Sequence, residues 1–385
     1  MKNKLFSVIL MFLIAELLCG VSCIKSGLKE DERNLIKDVE KFNREYGSKG
    51  VTIKNRKIDW DERLRCKGLI LKNSLIKNIE LRAVDLSNMY MENSRVEDVF
   101  LRGLADLSGS TFKNVKFKNI KFEKKIMGWD NINRLEDSIF IDCEFKNGDF
   151  DSDVRLGKEY INCKFKKCKI YDYKGRFENV TFEDCVISSE FGLKDSKNVQ
   201  FINCVLRYFR MSGKAEGILI QNPKVNFKSW NFKEGTFSNV SIINCDGYPI
   251  LPIIRFNKVN LNNLLIKHSK VSHLRFDEAD VSGDNRIENS KIYGNFYGRS
   301  KVRNLTITDC IFEDYVNIVF SELIKLRLVN NIYNIEDEKH AVIGEKYIDS
   351  DRFPLKSTPF PEDNDYVKRY YYDNRGTYFV FSHSA

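Results

Sequence analysis

Proline is scarce in this chain of 385 residues, at 6 against 28 phenylalanines. A prolyl ring removes a backbone donor and interrupts a ladder of strand hydrogen bonds, so its scarcity suits a chain that is mostly sheet. Histidine is scarcer still, at 4. No P-loop, no G-x-S-x-G and no G-x-G-x-x-G occurs, which removes the usual signatures of nucleotide binding, serine hydrolysis and dinucleotide binding. The net charge is +9, with basic residues scattered among acidic ones and no block of either sign. Such a surface could meet anionic lipid or polysaccharide, and it also fits ordinary solvation. The longest apolar stretch, residues 5–18, is short for a bilayer span and is interrupted by Glu16.

That stretch is instead the centre of an export signal. Lys2 and Lys4 supply the positive start, and small residues precede Cys23. The end of the leader, Leu18-Cys19-Gly20-Val21-Ser22-Cys23, resembles the lipobox of bacterial lipoproteins in its relaxed, spirochaete-like form. It departs from the preferred residues at Gly20 and Val21, and Gly20 with Ser22 also satisfies an ordinary signal peptidase. The resemblance implies cleavage before Cys23 and acylation of that thiol. The mature chain would then be held on a membrane of the cell envelope, at the outer membrane or cell surface, with multiple acyl chains making a firm anchor. Residues 24–63 follow as a tether and an N-terminal capping α-helix. Leu35, Ile36, Val39, Phe42 and Tyr46 fall at helical spacing, and a repetitive domain needs its open end covered.

From about Cys66 a five-residue frame takes over: Leu71, Ile76, Leu81, Leu86, Met91, Val96 and Leu101. The residue after each is polar, and the next is Asn73, Asn78, Asn88, Asn93, Asp98 or Gly103, types that tolerate tight corners. Two residues before each frame position is a small or apolar residue. A period of five fits neither an α-helix nor a long flat strand. It fits a short in-out-in strand followed by a corner, four such faces closing a square coil. The frame returns at Phe112, Phe117 and Phe122, at Phe140, Phe145 and Phe150, and in the run from Phe256 to Val281. Ala105-Asp106-Leu107-Ser108-Gly109 carries the A-D-L-x-x signature of the pentapeptide-repeat family, and the chain resembles that family over residues 64–333. The resemblance implies an all-β fold, a right-handed β-helix, with a capping helix before it and an irregular C-terminal segment, 334–385, after it. It implies no function, because one scaffold serves unrelated roles.

The ten cysteines first suggest disulfides or metal. Cys19 and Cys23 belong to the leader. Cys143, Cys163, Cys168, Cys185, Cys204, Cys245 and Cys310 fall two residues before a frame position and Cys66 falls in the frame, so all eight should face the axis as small apolar residues. His268 and His273 are placed at exposed corners. No catalytic residue, metal ligand or cofactor site emerges.

Contacts are sought instead in the interruptions of the frame: 123–134 with Trp129, 149–158, 188–198, 212–224 and 247–253 with Tyr248. The C-terminal segment adds Tyr371 and Tyr378, on two aromatic runs about Asp373-Asn374-Arg375-Gly376 that read as a hairpin capping the far end. The expected function is a lipid-anchored, non-catalytic binding or structural module. Its partners would be the membrane, through the lipid, and an unidentified protein or glycan, with no nucleic acid. Two alternatives stay open: a carbohydrate-active β-helix enzyme whose site assembles from distant coils, and a duplex-mimicking, topoisomerase-binding repeat protein. The second is disfavoured by a basic net charge and an export signal.

Overall fold

The computed structural model describes Val39, Asn43, Arg44 and, with internal gaps, residues 52–381; the longest gaps are 123–132, 335–340 and 350–368. Nearly all of this backbone is strand, paired in parallel with the chain about one coil further on. The architecture is a β-solenoid. It divides into two compact units, Met1–Val180 and Thr181–Ala385, and this cut falls within the repeats.

In the first unit, one face stacks Ile70–Lys72, Tyr90–Glu92, Thr111–Lys113, Ile139–Ile141 and Glu159–Ile161 in register. The next stacks the first halves of Leu75–Arg82 and Arg95–Arg102 on Lys116–Lys118, Glu144–Lys146 and Lys164–Lys166. The third continues through Lys121–Phe122 and Asp149–Phe150. The fourth pairs Leu64–Arg65 with Val84–Asp85 and Asn133–Arg134 with Val154–Arg155. Stacked partners lie 20 residues apart at Ser74 and Ser94, 21 at Asn93 and Asn114, and 28 at Asn119 and Asn147. The long step spans residues 123–132, so an insertion lengthens a coil without shifting the register above it.

The corners explain the asparagines. Asn73, Asn78, Asn88 and Asn93 adopt φ of 51°, 51°, 57° and 50°, and Asp98 adopts 54°. Most side chains resist this left-handed region, whereas Asn and Asp tolerate it through local hydrogen bonds. Their amides also join levels: Asn114 Nδ2 donates to Asn93 Oδ1 at 2.8 Å, and Asn119 Nδ2 to Asp98 Oδ1 at 2.6 Å.

Inward residues stack as columns. Phe112, Phe140 and Tyr160 lie face to face at 4.8 and 4.9 Å, and Phe117, Phe145 and Phe165 at 4.8 and 4.5 Å. Adjacent columns meet edge to face, as at Phe112 and Phe117, so the core gains both arrangements that aromatic quadrupoles favour. Below the phenylalanines the inward residues are Met89, Met91 and Val96. Where these smaller side chains meet the aromatic levels, a wholly apolar cavity of about 80 Å³ remains.

The second unit has longer strands. Val186–Ile202, Val205–Gln221, Ser229–Ile243 and Ile253–Lys267 pair in parallel one on the next. Two expected interruptions are corrected here. Residues 188–198 and nearly all of 212–224 are strand, and Phe191, Leu193, Ala215 and Ile218 are buried core. Plain alternation replaces the five-residue frame between Phe191 and Leu193, and register shifts before Glu190 and after Leu193 absorb the difference.

Each unit carries a device that covers strand edges. In the first unit, the helical residue Asn43 donates from Nδ2 to Gly68 O and accepts at Oδ1 from Ile70 N, each at 2.8 Å. In the second unit, Val316–Leu323, Lys325–Val329 and Asn331–Asn334 are each paired antiparallel, with Gly376–Phe381, Lys346–Asp349 and Ala341–Ile343. Arg369–Asp373 completes a hairpin with Gly376–Phe381. A bare parallel edge would invite pairing with another chain, and reversing the chain direction ends the repeat.

Candidate binding faces

The cysteines lie inside. All eight described cysteines are free and buried, and several stand in columns shared with serine. Ser74, Ser94, Val115, Cys143 and Cys163 follow one another level by level. Ser94 Oγ donates to Glu92 O at 2.7 Å and accepts from Ser74 N at 3.0 Å. Cys143 Sγ lies 3.3 Å from Ile141 O and 3.4 Å from Phe112 O, which is the same role for a thiol. Burial pushes the Cys66, Cys245 and Cys310 thiols up to about 12, with Asp85, Asp246 and Asp309 adding to the rise. Burial and the neighbouring Cys143 raise Cys163 as well. Thiols held neutral and out of solvent are poor nucleophiles and poor metal ligands.

The histidines separate. His268 is an exposed corner residue with φ 50°. His273 is not: it opens the strand His273–Asp277, half-buried, with Nδ1 2.7 Å from Ser272 Oγ. Burial, and then the Arg255 guanidinium, hold its pKa below the usual imidazole range. Arg255 Nε is itself buried without a hydrogen-bond partner. Among the described residues no three His, Cys, Asp or Glu side chains gather as a metal site would require, and no helix is long and apolar enough to cross a membrane.

Of the expected contact residues, Cys23, Trp129 and Tyr248 lie outside the described residues. Tyr371 and Tyr378 are brought together as register partners in the C-terminal hairpin, where Tyr378 also pairs with Val319 of the last coil.

What the sequence reading missed is a charged face. On the second face of the first unit, two outward rows flank the inward Val96, Phe117, Phe145 and Phe165. One row reads Leu75, Arg95, Lys116, Glu144, Lys164, and the other Lys77, Glu97, Lys118, Lys146, Lys166. Seven cations thus stand against two carboxylates over five levels. Glu97 is taken by Lys77 at 3.2 Å. Lys116, Lys118 and Lys146 are exposed, and among the described residues no ion pair or side-chain hydrogen bond engages their ammonium groups. Neighbouring faces are balanced instead, as where Lys72 and Lys113 share Glu92 at 3.3 and 3.6 Å. The signal was in the tripeptides Lys116-Phe117-Lys118, Glu144-Phe145-Lys146 and Lys164-Phe165-Lys166, which flank a frame residue once per coil.

No protein-family model matches the chain, and no curated protein matches it. Solved structures with some likeness include HetL, a pentapeptide repeat protein of the cyanobacterium Nostoc, at 9% identity, covering 63% of this chain and 88% of that one, TM-score 0.25. The A-module of the Azotobacter vinelandii mannuronan C-5 epimerase AlgE4 stands at 11% identity, covering 73% and 91%, TM-score 0.36. PfbA, a surface adhesin of Streptococcus pneumoniae, stands at 10% identity, covering 93% and 98%, TM-score 0.25. The solenoid itself is established by the strand register above.

Proposed function

We propose that this chain is an exported envelope protein, acylated at Cys23, whose solenoid is a non-catalytic module for binding or structural spacing. One observation carries the reading. The side chains with reactive chemistry, the thiols and core hydroxyls, are spent on backbone carbonyls inside the coil, while the outward residues form straight, in-register rows. Such a surface repeats with the coil rise of about 4.8 Å and suits an extended or repetitive partner. The leader supports export, and Cys23 at its end supports the anchor. Metabolic labelling with a radioactive fatty acid tests the anchor: label is expected on the wild-type chain and absent from Cys23→Ala. An unlabelled wild-type chain that is still exported removes the anchor from the reading.

A further inference from the structure

We propose that the lysine-rich face of the first unit binds a linear acidic polysaccharide, one carboxylate per sugar, lying along the coil axis. The proposal rests on reading the solenoid as a binding module but not on acylation of Cys23. Lys116, Lys118 and Lys146 stand exposed on consecutive levels, and Lys164 and Lys166 continue the two rows. Strand pairing sets the rise between levels at about 4.8 Å, so the lysines leave the backbone in a straight double row whose spacing backbone hydrogen bonds fix. A sugar unit in an extended chain advances by a comparable few ångströms, so carboxylates along one glycan can meet cations level after level. The single carboxylate of this stretch, Glu144, sits in one row only and leaves the row of Lys118, Lys146 and Lys166 unbroken.

The other polyanions fit less well. Duplex DNA carries a phosphate about every 3.4 Å along each strand on a surface that curves away from a flat face. Single-stranded nucleic acid is held largely by stacking on aromatic side chains, and neither outward row holds an aromatic residue. A face that sits on a membrane buries apolar side chains among the headgroups, and Leu75 is the lone aliphatic residue in these rows.

The test titrates the full-length chain in mild detergent with polygalacturonate, using a neutral linear glucan as the reference. The face variant is Lys116→Glu, Lys118→Glu, Lys146→Glu. The control, Lys194→Glu, Arg207→Glu, Lys224→Glu, places the same charge change at exposed positions of the second unit. Lys116→Gln, Lys118→Gln, Lys146→Gln is read in place of the reversal if circular dichroism shows that the reversal unfolds. We expect the face variant to bind at least tenfold more weakly and the control to stay within about threefold. By counter-ion release, the slope of log K against log salt should shallow by about 2 in the face variant. Equal losses in face variant and control, equal binding of the neutral glucan, or no polygalacturonate binding by the wild type would each overturn the proposal. So would tighter binding to anionic phospholipid vesicles or to duplex DNA. Failure of fatty-acid labelling at Cys23 would leave this result standing, which keeps the two claims separable.

Discussion

The two units solve one problem at different strand lengths. The first, Met1–Val180, is built mainly of two- and three-residue strands separated by left-handed corners; the second, Thr181–Ala385, contains runs of 15 and 17 residues. Burial deepens within the first unit. Leu101, Leu107 and Phe117 keep 5, 8 and 9% of their surface, whereas Phe165 and Phe177 keep none, as Phe232, Val240 and Ile242 of the second unit do. The cavity of about 80 Å³ lies in the first unit, where Met89, Met91 and Val96 adjoin the phenylalanine levels. A repeat thus dictates which positions face inward without dictating that successive levels match in size. Where they do not match, a void persists, because each side chain is fixed to its level by the ladder.

Glycines give the sharpest way to separate the units. Gly213 has φ +99°, and a Cβ there would stand 2.0 Å from Leu193 O; a Cβ on Gly235 would stand 2.0 Å from Gly213 O. Gly68 of the first unit, at φ +75°, has nothing within 4 Å of that position. Gly213→Ala should therefore cost the second unit about 3 kcal/mol or more, combining left-handed strain with a backbone clash. Gly68→Ala should cost the first only about 1 kcal/mol. Urea unfolding of the two variants measures both, and equal costs would mean that the coils are not spaced as described.

Alkaline pH reaches both units through their thiols. The folded chain holds Cys66, Cys245 and Cys310 neutral up to about 12, whereas the ordinary value is 9.0. A raised pKa on an acid group means that its stabilisation is intact below about pH 9. It is lost as pH rises from there towards about 12, by up to about 1.4 kcal/mol per pH unit for each thiol. Cys245→Ser with Cys310→Ser should flatten that decline, read by unfolding at pH 8, 9 and 10. An unchanged slope would show the thiols to be solvated.

The smallest effect tests the void. Val96 borders the cavity and Val240 lies in the tight core. Val96→Ile should raise stability by about 0.5–1 kcal/mol as the added methylene fills empty space. The same change at Val240 should lower stability by about 1–3 kcal/mol through overpacking. Stabilisation at both sites would place a void in the second unit as well.

Much of the fold was legible because it follows from local chemistry. The asparagines after each frame residue do adopt left-handed corners, as at Asn73 and Asn93. The phenylalanines in the frame face inward, as do the cysteines two residues before it. Residues 188–198 were illegible because alternation by two can substitute for the five-residue frame on a longer face, and Phe191 and Leu193 then point inward out of step. His273 was misplaced for the same reason, since the strand His273–Asp277 extends past the usual three residues.

The candidate face was the least legible feature of all. Lys118 and Lys146 are 28 residues apart in the chain and adjacent in space, because the coil that joins them is longer than the usual twenty residues while its strands stay in register. The sequence by itself determined which side chains turn inward and where the chain turns a corner, since both depend on the next two or three residues. The tertiary structure alone decided which outward residues became neighbours, because stacking brings together positions separated by a whole coil of variable length. It therefore turned scattered lysines into a continuous charged row.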